Sequence, residues 1–149
     1  MSTMRFLVPI GFASLALALS GCGSGNGSDM PAASAGGTAP PIQGLQPTLA
    51  SIQDNVFTPT CIGCHSGANA PQGLQLTAGN SAANLINVPA PRDPTQIRVI
   101  PGNPDGSLLI QKLEGTATLG ARMPLGQPPL DPSTIAVIRL WITNGAPTQ

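Results

Sequence analysis

From residue 45 onward, apolar positions recur at helical spacing in four short stretches separated by Pro- and Gly-rich connections. In the first, Leu49, Ile52 and Val56 share one face, Pro47 suits a first helical position, and Thr58-Pro59 predicts the stop. The second covers residues 81–87 and carries Leu85 and Ile86. The third opens after Pro104-Asp105, where Asp105 or Ser107 can cap, and carries Leu108, Leu109 and Leu113. The fourth has the clearest pattern: Asp131 caps, Pro132 takes the first position, Ile135, Ile138 and Ile142 form a stripe with Trp141 beside it, and Asn144-Gly145 ends it. Leu74-Gln75-Leu76-Thr77 and Ile97-Arg98-Val99-Ile100 alternate only weakly and read as extended pieces. No real sheet is expected. The fold class predicted by the pattern is all-α, about four short helices with long Pro/Gly loops.

The chain before residue 45 has a different character. Arg5 supplies a basic start, residues 6–19 an apolar run too short to span a bilayer, and Leu19-Ser20-Gly21-Cys22 resembles a bacterial lipobox. That resemblance implies a signal peptide over residues 1–21 and an acylated Cys22 at the start of the mature chain, anchored to a membrane rather than spanning it. The competing reading is ordinary cleavage, after Ala18 for example, with Cys22 a spare thiol or removed. Either way the protein is exported, to the periplasm or another extracytoplasmic space. After Cys22, residues 23–44 are mostly Gly, Ser, Ala, Pro and Asn, which cannot bury a core and should form a disordered tether. A tether of that length wanders on the order of 25 Å.

Residues 45–149 are enough for one domain and too few for two. Arg92, Arg98, Lys112, Arg122 and Arg139 balance Asp54, Asp93, Asp105, Glu114 and Asp131, so no basic patch points to nucleic acid and long-range steering of a partner should be weak. Tyrosine is absent and other aromatic residues are scarce, a poor supply of core for a domain of this size.

The most informative chemistry is Cys61-Ile62-Gly63-Cys64-His65, the C-x-x-C-H pattern of c-type haem attachment. Two thiols that add to two vinyl groups of one porphyrin must sit on one side of a short turn, and two intervening residues supply that separation. His65 then stands at the iron, with a neutral ring whose second nitrogen needs a partner to set the tautomer. Other readings compete. A redox dithiol belongs to alternating β/α chains, which this is not. A structural zinc needs four ligands, and only Cys22, Cys61, Cys64 and His65 are on offer, Cys22 at the far end of a tether. A chance run on an exposed loop is the third, opposed by a run that stops on His after an amphipathic segment. His65 is the only histidine, which excludes bis-histidine ligation within one chain. Met1 and Met4 fall in the signal and Met30 in the tether, leaving Met123, in Gly120-Ala121-Arg122-Met123-Pro124, as the candidate sixth ligand. Core filling is the ordinary use of a methionine, and a five-coordinate, gas-binding iron is the alternative state of the site. A covalent haem would also supply the missing apolar mass, so the haem-free chain is expected to fold poorly.

Taken in order, an amphipathic helix ending in Val56-Phe57, then C-x-x-C-H, a distant Met123-Pro124 and a closing amphipathic helix resemble a class I mono-haem cytochrome c domain across its whole length. Gly73-Leu74-Gln75-Leu76, Val99-Ile100-Pro101-Gly102-Asn103-Pro104 with Ser107-Leu108-Leu109, and Trp141-Ile142 followed by Gly145-Ala146 resemble the versions in bacterial exported proteins. The resemblance implies a small helical fold wrapped around one haem c, with Cys61 and Cys64 as thioether anchors, His65 and Met123 as axial ligands, and the first and last helices crossing beside the haem. Where many members have a glycine at that crossing, this chain has Gln53, which implies a looser or shifted contact. Trp141 is expected in the core, packed on the haem or the first helix, or else bonded to a haem propionate; Arg122 is expected at a propionate or in solvent. The implied function is outer-sphere one-electron transfer by a monomeric, membrane-anchored carrier, with no catalytic residues and redox proteins as partners. An electron-entry subunit of a larger exported complex and a gas-binding protein are the alternatives.

Overall fold

The computed structural model describes residues 39–149. The candidate signal peptide, Cys22, Met1, Met4, Met30 and most of the expected tether lie outside the described residues. Ordered contacts begin ahead of Leu45: the Ala39 N–H bonds the Pro129 carbonyl at 2.8 Å, and Ile42 packs against the core.

Helix α1 (Leu49–Ile52) starts at Thr48, whose hydroxyl accepts from the Ser51 N–H at 3.2 Å, so Pro47 precedes the cap and does not open the helix. Nor does Thr58-Pro59 end it. At Gln53 the coil widens into a π-helical segment, Gln53–Cys61, that carries Pro59 inside it. A proline in an α-turn clashes with the carbonyl four residues back and has no N–H to give. The wider coil, in which the Ile62 N–H reaches the Phe57 carbonyl at 3.1 Å, carries the helix past Pro59 to Cys61. Such segments are rare and concentrate at functional sites.

Helix α2 (Ser81–Leu85) is shorter than its apolar pattern predicts, because Ile86 turns out to extended backbone. The expectation of an all-α chain fails next. Strand β1 (Pro89–Ala90) and strand β2 (Asp93–Ile97) form a two-stranded antiparallel sheet, with Pro89 opposite Ile97, Ala90 opposite Asp93 and an irregularity between them. The content is therefore mixed, helices plus one small hairpin. Its sequence has no period-2 alternation to reveal it; instead the Asp93 carboxylate gathers the Thr95 N–H at 3.1 Å, the Thr95 hydroxyl at 2.6 Å and the Gln96 amide at 3.0 Å. Of the two weak extended pieces, the second begins at the end of β2 and continues into a parallel bridge between Val99 and Ile86.

Ser107, not Asp105, stands at the N-cap of helix α3 (Leu108–Glu114), but its hydroxyl does not cap. It is fully buried, accepting from the Ile100 N–H at 2.9 Å and donating to the Asn103 carbonyl at 2.7 Å, so it closes the turn through Pro101-Gly102. Gly115, with φ +80°, ends α3. Helix α4 (Pro132–Thr143) follows its sequence pattern closely: the Asp131 side chain accepts from the Ser133 N–H, Pro132 is first, and Asn144 is the C-cap, followed by Gly145 at φ +92°. Arg139 of α4 pairs with Glu114 at the end of α3 at 3.0 Å and with Asp105.

One apolar cluster joins these elements. Ile52, Val56 and Phe57 from the first helix, Leu85, Val99 and Ile110 from the middle, and Ile138, Trp141 and Ile142 from α4 are all almost fully buried in it. Burying a side chain of this size contributes about 1.5–3 kcal/mol. Among the described residues no helix is long and apolar enough to cross a membrane.

Candidate haem-binding site

The π-helical segment delivers the chain into the motif. Cys61 is its last residue, and the Cys61 carbonyl then accepts from both the Cys64 N–H at 3.2 Å and the His65 N–H at 2.9 Å. These bonds close a tight turn that carries both thiols and the imidazole. Neither cysteine is in a disulfide: Cys61 is half-buried and Cys64 exposed. Burial, with a smaller contribution from the neighbouring Cys64, pushes the Cys61 thiol up to about 11.

Sequence could not name the partner of the second His65 nitrogen. His65 Nδ1 stands 3.2 Å from the Leu74 carbonyl. With the proton on Nδ1 it donates to that carbonyl and leaves the Nε2 lone pair free for a metal. The same segment is stitched to the histidine a second time, by the Leu76 N–H on the His65 carbonyl at 2.8 Å. No residue type announces either contact, since both acceptors are backbone; Gly73 at φ +62° marks the turn that brings Leu74 round.

Met123 arrives on the long connection between α3 and α4, which folds back so that the Met123 N–H bonds the Lys112 carbonyl at 2.8 Å. It is half-buried and packs against the same apolar cluster as Cys61, Ile62 and Leu74. Arg122 beside it bonds carbonyls of its own loop, Gln127 at 3.0 Å and Met123 at 3.4 Å, while its methylenes approach Gly115. The Trp141 indole is buried and donates to the Pro147 carbonyl at 2.9 Å, so of its two expected roles the structure has the core one, in the cluster that holds the first helix.

Gln53, the departure at the expected helix crossing, is used inside the protein. It is buried, and its amide donates to the Leu76 carbonyl at 2.9 Å and the Thr58 hydroxyl at 3.0 Å while accepting from Ser81. It ties the first helix to α2 and to the segment behind His65.

The residues present suit a covalently held haem better than a bare ion. Among the described residues no three His, Cys, Asp or Glu side chains are grouped to hold a metal ion, so Cys61, Cys64 and His65 do not converge on a point as zinc ligands must. Thiols that attach to a macrocycle's edge and an imidazole that reaches its centre need no such convergence. Cys61, Ile62, Leu74 and Met123 are each partly buried and packed against the apolar core. The hollows lined by Glu114, Pro132 and Ile135, and by Leu49, Gln53 and Ser81, include neither cysteine, nor His65, nor Met123. No protein-family model matches the chain, and neither curated proteins nor solved structures include a match.

Proposed function

We propose that this protein is a one-electron carrier built on a single haem c. The observation that carries the reading is the C-x-x-C-H turn itself, closed on the Cys61 carbonyl, with His65 Nδ1 on the Leu74 carbonyl and Nε2 left to bind iron. Bound there, the haem supplies reversible ferric/ferrous chemistry.

The chain's own residues do the rest. Cys61 and Cys64 would hold the macrocycle by thioethers, His65 and Met123 would bind its iron, and Ile62 and Leu74, partly buried against the core, would give it apolar surroundings. Two permanent ligands would leave no position for a substrate, so the group would supply electron transfer without making substrate bonds. A thioether ligand and an apolar setting favour the less charged ferrous form and hence a relatively positive potential. Cys22 is proposed as the lipid-bearing residue of an exported protein, with redox proteins as transient partners.

The test is an optical spectrum of the full-length protein with and without Met123→Ala. Wild-type protein is expected to be low-spin when oxidised and inert to carbon monoxide when reduced; the variant is expected to be high-spin and to bind it. High-spin wild-type protein that binds carbon monoxide readily would identify a five-coordinate gas binder instead.

A further inference from the structure

Arg98 is a buried cation without an acid. Only 7% of its surface is exposed, and among the described residues no carboxylate pairs with it. Burial lowers its pKa from the ordinary value. A guanidinium withdrawn from water costs free energy unless its donors are satisfied, and here backbone carbonyls do that. Nη1 donates to the Asn84 carbonyl at 2.8 Å and Nη2 to the Gln72 carbonyl at 2.6 Å. Its own backbone is locked as well, the Arg98 N–H on the Val88 carbonyl and the Arg98 carbonyl under the Leu109 N–H.

The two carbonyls it joins have a common neighbour. Gln72 is a non-glycine residue at φ +58°, ψ +22°, a left-handed conformation that side chains disfavour and that must be held in place. Two residues on is Leu74, the acceptor for His65 Nδ1. Asn84 grips the next residue, its Oδ1 accepting from the Gln75 N–H at 3.3 Å, and its amide is anchored on the Asn80 carbonyl at 2.9 Å. Arg98 and Asn84 thus bracket the Leu74 carbonyl from both sides, Arg98 tying the two brackets together.

We propose that Arg98, acting with Asn84, is a positioning residue that holds the Leu74 carbonyl against His65 Nδ1 and so sets the tautomer and donor strength of the imidazole. The inference rests on the haem reading above. A firm Nδ1–H bond makes the imidazole a stronger donor and favours the ferric state; a slack one does the opposite. Loss of positive charge by itself would favour the ferric state. Arg98→Lys keeps the charge and loses the fork, which separates the two effects.

The experiment uses full-length haem-loaded protein and follows the reduction potential and the solvent-exchange rate of the His65 Nδ1 proton by NMR, in wild type, Arg98→Lys and Asn84→Ala. Both variants are expected to keep a low-spin spectrum, to raise the potential, and to speed Nδ1 proton exchange roughly tenfold, the loss of one hydrogen bond's hold on the loop. Unchanged potential and exchange in either variant, whatever its thermal stability, would overturn the inference and leave Arg98 a purely structural residue. If Arg98→Lys does not accumulate, Asn84→Ala decides alone, since that side chain is only half-buried and is absent from the apolar core. A wild-type protein that carries no haem would instead remove the reading on which the inference stands.

Discussion

Gln53 accepts a hydrogen bond from the hydroxyl of Ser81 inside the protein, joining the first helix to α2. The same amide donates to the Leu76 carbonyl, one residue past the segment that Asn84 grips and two past the acceptor of His65.

Gln53→Leu should therefore destabilise the domain although it adds apolar volume. It leaves the Ser81 hydroxyl with only its 3.2 Å bond to the Thr77 carbonyl and strips the Leu76 carbonyl of its partner. An unsatisfied buried group costs about 1–3 kcal/mol. Denaturant unfolding of the haem-loaded protein measures it. Gln53→Gly should be at least as destabilising, because it also opens a cavity and frees the backbone.

Trp141→Phe separates packing from hydrogen bonding in α4. The ring remains largely filled and the bond to the Pro147 carbonyl is lost, for a cost of about 1 kcal/mol. Trp141→Ala should cost about 3–5 kcal/mol. Equal losses in thermal unfolding would show that the indole contributes mainly through its hydrogen bond.

The two thiols should differ in the haem-free protein. In haem-free protein at pH 8, iodoacetamide is expected to modify exposed Cys64 well before Cys61, whose thiol is held up to about 11 by burial and by its neighbour. Below the ordinary thiol range, about 8.5, Cys61 is protonated in folded and unfolded chains alike. As pH rises from there towards 11 the unfolded chain releases its proton first, so the haem-free domain loses stability across that window. Equal alkylation rates would mean that the domain does not hold this structure without haem, the outcome expected if the porphyrin is needed to complete the core.

Haem attachment should follow the cysteines and potential should follow Met123. Cys61→Ala with Cys64→Ala is expected to leave haem extractable by acidified organic solvent, whereas either single change keeps one thioether. Met123→His should stay low-spin but fall in potential, because imidazole favours the ferric state more than a thioether does; axial ligands command a range of about 0.8 V. An unchanged potential would show that Met123 is not at the iron.

How much was legible in the sequence differs by element. Helix α4 reads directly, since its cap, first-turn proline, stripe and terminator are all local chemistry. The first helix misleads at Pro59, where an isolated helix stops but a π-helical coil carries the chain on to Cys61. The hairpin of β1 and β2 is invisible because its strands are too short and polar to show alternation, and side-chain bonds from Asp93 take the place of a pattern. At the site, residue types pointed to the chemistry, while the partner of His65 is a backbone carbonyl that no residue type encodes.

By itself, then, the sequence determined the set of candidate donors, two thiols and an imidazole in one short run with a single methionine left in the domain, because spacing and residue identity are covalent facts. Only the tertiary structure decided which carbonyl orients His65, that Gln53 and Arg98 hold the loop supplying it, and that Trp141 spends its N–H on Pro147. Those choices join residues far apart in the chain, and they exist only once a shared core has brought their backbones within hydrogen-bonding distance.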